Sequence, residues 1–163
     1  MKNILLAFSL FGLVSCGGPA AIYTHDSLFE WNKNDKINSM YIIVDAGIES
    51  KDLGVMMKNF STEFQQRGMV GAATYVNERE LNAVDKAAER MEQSQNDYLL
   101  YLDMYSANTS PVYFYYYKLV NRNTNTAVWE GKLSTSKNIT IPKKLFQKME
   151  KQGFLAPKLK KKS

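Results

Sequence analysis

Met40-Tyr41-Ile42-Ile43-Val44-Asp45-Ala46, closed by Gly47, is followed by a second pattern of a different period over Asp52 to Arg67. The first run is short, apolar and rich in β-branched residues, the signature of a buried strand. The second carries Leu53, Met56, Met57, Phe60 and Phe64 at i, i+3, i+4, i+7 and i+11. That spacing draws one apolar face on a helix, which Gly68 ends. Ser50 and Asp52 offer oxygens for its N-cap. A buried strand leading directly into an amphipathic helix sets an α/β reading.

The pattern continues outward. Met69 to Val76 reads as the next strand, and Asn77 as the cap of a second helix, with Glu78 and Glu80 near the positive end of its dipole. Leu81, Val84, Ala88 and Met91 form that helix's apolar stripe, and its alanines suggest close approach to a sheet. Tyr98 to Tyr105 reads as a third strand and Asn108 to Pro111 as a turn. Val112 to Asn121 and Ala127 to Leu133 form a hairpin around a polar loop. Pro142 suits the first position of a last helix reaching to Gln152, with Leu145 and Met149 inward and Gly153 as its stop. The order is β-α-β-α-β-β-β-α, an α/β fold with a single mixed sheet of about five strands and helices packed on it.

The 163 residues divide into four stretches. Residues 1–15 have an export signal's order: Lys2, then an apolar run from Ile4 to Val14 that is too short to span a bilayer. Leu13-Val14-Ser15-Cys16, followed by Gly17-Gly18, resembles the lipobox of bacterial lipoproteins. The resemblance implies cleavage before Cys16 and acylation of its thiol and new amino terminus, hence attachment to a membrane. Two or three acyl chains anchor stably where one binds only reversibly. The alternative is a secreted chain with a chance or buried cysteine. Cys16 is the single cysteine, so no disulfide forms within the monomer. Residues 16–38 read as the lipidated start and a tether, with Ser27 to Trp31 apolar enough to dock on the domain. Residues 39–155 form the α/β domain, and 156–163 a basic tail.

Charge is uneven. Residues 131–163 hold ten lysines against Glu150 alone, while residues 1–130 hold eleven basic and fifteen acidic groups, so the net +5 splits as +9 and −4. Lys158, Lys160, Lys161 and Lys162 would suit an anionic surface. Export argues against nucleic acid and leaves lipid headgroups or anionic envelope polymers. A solvated terminus that binds nothing explains the run equally well.

The hairpin carries a second resemblance. Tyr117-Lys118-Leu119-Val120-Asn121, the loop Arg122 to Thr126, and Ala127-Val128-Trp129-Glu130-Gly131 look like a segment of small envelope α/β domains. These are the outer-membrane activators of penicillin-binding proteins, the curli-secretion lipoproteins and the amino-terminal domain of TolB. Those families often show a turn built on Asp-x-x-Thr-Gly and a strand ending in Trp-Glu-Gly. Asn121 and Asn125 replace the commoner Asp and Gly, a change the turn tolerates because asparagine accepts positive φ.

Catalytic parts are few. Nucleophilic catalysis by a histidine-assisted pair needs a histidine, and the only one, His25, falls in the tether. One cysteine and one histidine do not build a zinc site of the usual kind, and no phosphate-binding loop occurs. Asp45, Glu49 and Asp52 cluster at a strand end where α/β sheets tend to bind ligands, and Asp103 shares a strand face with Tyr101 and Tyr105. A carboxylate pair acting as acid and base is one reading; helix capping and solvent contact is the other. The expectation is no enzyme, no metal and no cofactor.

Seven of the ten tyrosines lie between Tyr98 and Tyr117. Alternation in Val112 to Val120 places Tyr113, Tyr115, Tyr117 and Leu119 on one face, and Phe114, Tyr116, Lys118 and Val120 on the other. One face must meet helices; the other is either an open binding surface or an ordinary pleated one. The expected interaction surface comprises Tyr113, Tyr115, Tyr117 and Trp129 with Asn123 and Asn125 of the turn. The sequence thus suggests a lipid-anchored, non-catalytic envelope protein that docks a partner protein and serves a larger assembly. The alternative is a binder of anionic polymer or lipid through the lysine-rich end. Gly17 lacks the aspartate that retains some lipoproteins in the inner membrane, so the periplasmic face of the outer membrane is the expected location.

Overall fold

The structure, a computed structural model, describes residues 22–29, 31–32, 35–45, 50–76, 82–104 and 112–159. Among these residues, six strands make one mixed sheet: β1 (Ile22–Leu28), β2 (Ser39–Asp45), β3 (Val70–Val76), β4 (Tyr98–Met104), β5 (Tyr113–Asn121) and β6 (Thr126–Thr135). Three helices pack on it: α1 (Ser50–Arg67), α2 (Ala83–Gln93) and α3 (Ile141–Lys151), the last preceded by a 3-10 turn at Asn138–Thr140. The strand order is β1-β6-β5-β4-β2-β3. β2 runs parallel to β3 and β4, and every other pairing is antiparallel.

The expected α/β class and mixed sheet are present. The five strands read from the sequence are joined by β1, which falls within the stretch assigned to the tether. Its backbone pairs along β6, from Ile22 opposite Ser134 to Leu28 opposite Trp129. The chain stays docked beyond it: the Phe29 amide donates to the Val128 carbonyl at 3.2 Å. The Trp31 ring stands edge-on to Phe154, 4.9 Å between centroids, and to Tyr98 at 5.8 Å.

The main core fills the space between one sheet face and the pair α1 and α3. Met56, Phe60 and Phe64 of α1 meet Leu145, Phe146 and Met149 of α3 over Ile42, Val44, Leu100 and Leu102 of the sheet. Full burial of each such side chain contributes about 1.5–3 kcal/mol. Gly71 of β3 sits under the Phe64 ring, where a Cβ would collide with it. Gly68 ends α1 at φ +64°, passing the Met69 amide to the Phe64 carbonyl at 3.1 Å. Gly153 does the same for α3 at φ +87°, with the Phe154 amide on the Met149 carbonyl at 3.0 Å.

Among the described residues, α2 alone covers the other face, over Tyr41, Ile43, Val76 and Leu99. Its buried residues are Ala83 and Ala87. The expected stripe is therefore rotated: Val84 is 64% exposed, Ala88 is half-buried, and Leu81 lies outside the described residues, as do Asn77, Glu78 and Glu80. Ala83 and Ala87 face the sheet, with Met91 of the expected stripe packed against the same cluster. No described helix is long and apolar enough to cross a membrane.

Candidate functional site

α2 lies over the β2–β3 end of its sheet face, and no described helix packs on the β5–β6 end. Tyr101 and Asp103 of β4, Phe114, Tyr116, Lys118 and Val120 of β5, and Glu130 and Lys132 of β6 emerge there, half-buried or exposed. Cross-strand register arranges six of them in two rows. Tyr101 pairs with Lys118 and Lys118 with Glu130; Asp103 pairs with Tyr116 and Tyr116 with Lys132. Each row thus holds one tyrosine, one cation and one anion, in permuted order. The rows are tied together: the Tyr116 hydroxyl donates to Glu130 Oε2 at 2.8 Å. Burial, reinforced by that bond and the Glu130 charge, pushes the Tyr116 phenol up to about 12.

The strand residues of the surface expected from the sequence lie on the other side of the sheet. Tyr115, Tyr117 and Trp129 are fully buried in the main core, and Tyr113 packs half-buried at its margin. Tyr117 lies against Trp129 with ring centroids 4.3 Å apart, and the Tyr115 hydroxyl donates to Asn138 Oδ1 at 2.9 Å. Burial first, then the neighbouring Tyr113, Asp52 and Tyr75 charges, hold the Tyr115 phenol far above its usual range. Exposure alternates along β5 as the sequence pattern implies, with Tyr115, Tyr117 and Leu119 inward and Phe114, Tyr116, Lys118 and Val120 on the other face. A signal was available in β6, where Trp129 and Leu133 alternate with Glu130 and Lys132; the hairpin register carries that polarity across to β5. Asn123 and Asn125 are exposed at the turn, which Asn121 Oδ1 braces by accepting from the Asn123 and Thr124 amides at 2.9 and 3.3 Å. Asn125 adopts φ +53°, the positive φ expected of asparagine there.

Between α2 and the carboxyl ends of β2, β3 and β4 lies a cavity of about 350 Å³. Ile43, Val76, Ala87 and Met91 give it apolar walls, while Tyr101, Asp45 and Asp103 also line it. Asp45 and Asp103 are register partners on adjacent parallel strands. They share the face of Tyr41, Ile43 and Leu99, because side chains alternate along a strand. Burial raises the Tyr101 phenol above its usual range, opposed by the Arg122 charge. The sequence cluster of Asp45, Glu49 and Asp52 is divided: Asp52 sits in the first turn of α1 on the opposite face, and Glu49 lies outside the described residues. Asp45 converges with Asp103 instead.

Of the basic tail, Lys158 is engaged internally. Its Nζ donates to Glu63 Oε1 at 2.9 Å and also to Gln66 Oε1. It completes a chain in which Arg67 bridges Glu63 at 2.8 Å and Glu150 at 2.7 Å, its guanidinium stacked 5.5 Å from the Phe146 ring. A lysine committed to a buried carboxylate is not a free contact for an anionic surface, so Lys158 leaves that group. Lys160, Lys161, Lys162 and Cys16 lie outside the described residues.

No protein-family model and no curated protein sequence matches the chain. Among solved structures it is similar to PelC from Paraburkholderia phytofirmans, crystallised as a dodecamer, at 10% identity and TM-score 0.45, covering 86% of this chain and 100% of that one. It is similar to lipoprotein GNA1162 from Neisseria meningitidis at 16% identity and TM-score 0.41, covering 70% of this chain and 95% of that one. It is also similar to TolB from Acinetobacter baumannii at 8% identity and TM-score 0.39, covering 83% of this chain and 31% of TolB. Likeness at this level transfers nothing about function.

Proposed function

We propose that the chain is a non-catalytic, lipid-anchored protein of the bacterial cell envelope that binds a partner protein through the uncovered half of its sheet. The observation that carries this reading is the pair of registered rows, Tyr101-Lys118-Glu130 and Asp103-Tyr116-Lys132, on a part of the sheet that no described helix covers. Tyrosines presenting rigid rings with polar tips are enriched in protein-binding patches, and the charges beside them suit the polar rim of one. The sheet beneath them is braced from behind by the main core, so the patch is preorganised.

The anchor supports the same reading. Cys16 precedes Ile22, the first residue of β1, by six positions. At no more than about 3.6 Å per residue, a lipidated Cys16 holds the start of the sheet within about 20 Å of the bilayer. A partner would then be met at the membrane surface, on the periplasmic face of the outer membrane. Catalysis finds little support: His25 lies on β1, across β6 and β5 from the strand of Asp103.

The test is capture of the full-length lipidated chain from detergent-solubilised envelopes, comparing it with a Phe114→Ala/Tyr116→Ala variant and a signal-swapped Cys16→Ala control. A protein retained by the native chain and lost from both comparisons supports the reading. The same protein set from all three contradicts it.

A further inference from the structure

We propose that the outer face of the α1–α3 helix layer rests on a bilayer of anionic phospholipid. The inference builds on the lipid anchor of the preceding reading and adds the side of the domain that meets the membrane. Charge is the first support. α1 and α3 together carry seven cationic side chains against three anionic ones, whereas α2, across the sheet, carries two against three. Two of those three acids, Glu63 and Glu150, are already answered by Arg67 and Lys158. The exposed lysines follow the helical period. Lys51, Val55 and Lys58 fall at i, i+4 and i+7 on α1, and Lys143, Gln147 and Lys151 at i, i+4 and i+8 on α3, all six exposed. These rows lie opposite the core-facing Met56 and Phe60 of α1 and Leu145 and Met149 of α3, so they look away from the sheet. The helices are neighbours, with the Phe64 and Phe146 rings 5.3 Å apart, and the two rows form one surface.

The second support is apolar. Val55, 42% exposed, stands within the α1 row, and Leu159, 65% exposed, is held beside the end of α1 by its amide, which donates to the Gln66 carbonyl at 2.9 Å. Exposed aliphatic side chains among lysines suit a headgroup layer, where the cations meet phosphates and the aliphatics enter the acyl boundary. The third support is where the anchor enters. Ile22, six positions after Cys16, pairs with Ser134, one residue before the end of β6, and α3 begins six residues beyond that end. Register across β5 and β4 puts the end of β2, from which the chain proceeds to α1, at the same end of the sheet. The anchored chain therefore enters where both helices of the basic layer set out. In this orientation the opposite sheet face, with Tyr116 and its neighbours, points away from the membrane. The two surfaces share no residue.

The test reconstitutes the lipidated chain, purified from cells, in phosphatidylcholine vesicles with or without phosphatidylglycerol. Acylation consumes Cys16, the one cysteine, so a fluorophore on Gln147→Cys or, on α2, Glu89→Cys reports a single position. Headgroup spin-labelled lipid should quench position 147 about threefold more than position 89 when phosphatidylglycerol is present. High salt should abolish that difference, and so should Lys51→Glu/Lys58→Glu/Lys143→Glu/Lys151→Glu. Equal quenching at the two positions, or a difference indifferent to phosphatidylglycerol and to salt, overturns the proposal. Retention on dextran sulfate without headgroup quenching also overturns it, by assigning the face to an anionic polymer. Failure to float with plain phosphatidylcholine vesicles is a separate result, which removes the anchor and the orientation with it. Loss of partner capture by the open face leaves the orientation standing.

Discussion

Asp45 and Asp103 are paired residues of adjacent parallel strands, and their carboxylates line one cavity. Asp103 is exposed on β4. An exposed substitution away from caps, turns and buried networks changes stability by no more than about 0.5 kcal/mol, so Asp103→Asn should leave the urea unfolding midpoint nearly unchanged at neutral pH. A loss above about 1 kcal/mol would assign that carboxylate a structural role.

The Tyr115 hydroxyl and Asn138 Oδ1 form a buried bond, 2.9 Å long, that pins the turn before α3 to the sheet. Tyr115→Phe keeps the ring and leaves the Asn138 oxygen without this donor. Loss of a buried partner costs about 1–3 kcal/mol, and the midpoint of unfolding should fall accordingly. Tyr116→Phe, which removes a partly exposed bond to Glu130, should cost less.

Alkaline pH should act through the same tyrosines. The folded-state pKa is raised for Tyr98, Tyr101, Tyr115 and Tyr116, to about 12 for Tyr116. For a raised pKa, the stabilisation is complete below the unfolded value of about 10 and is lost as pH rises through the folded value. Stability should thus be flat from these groups up to pH 9.5 and fall from pH 10 to 12. Ultraviolet titration of the phenols should show a late-ionising fraction that Tyr115→Phe reduces. Uniform titration of all tyrosines near pH 10 would contradict the burial of Tyr115.

Most of this fold is written in local patterns, and what escapes them does so for identifiable reasons. The strand at Met40 and the helix through Phe60 announce themselves because each buries one continuous apolar face. β1 does not: Tyr23-Thr24-His25-Asp26-Ser27 has neither an apolar run nor clean alternation. It is an edge strand held by pairing with β6, a relationship no local period records. The same limit governs the tyrosines. Alternation separates Tyr115 and Tyr117 from Phe114 and Tyr116, but which set is inside depends on both α1 and α3 packing on one face. The carboxylates show a third case. Asp45 and Asp52 are close in sequence and fall on opposite faces, whereas Asp45 and Asp103 meet only because β2 and β4 are neighbours.

The Arg67 network should contribute measurably to stability. Arg67 is buried between Glu63 and Glu150, and Lys158 closes on Glu63. Removing the cation from a buried pair typically costs 3–5 kcal/mol, while an apolar replacement of both partners is close to neutral. Arg67→Met should therefore be strongly destabilising and Arg67→Met/Glu63→Leu much less so. Lys158→Ala should lower stability slightly, by about 0.5–1 kcal/mol.

The central claim is that the uncovered β4–β5–β6 face is where a partner protein docks. Its most direct measurement is site-specific photo-crosslinking in living cells, with a photoreactive phenylalanine analogue placed at Tyr116 or, as control, at the solvent-exposed Gln65 of α1. The account predicts a discrete protein adduct from position 116 in the lipidated chain and none of that mass from position 65. The absence of any adduct from 116, or the same adduct from both positions, would contradict it.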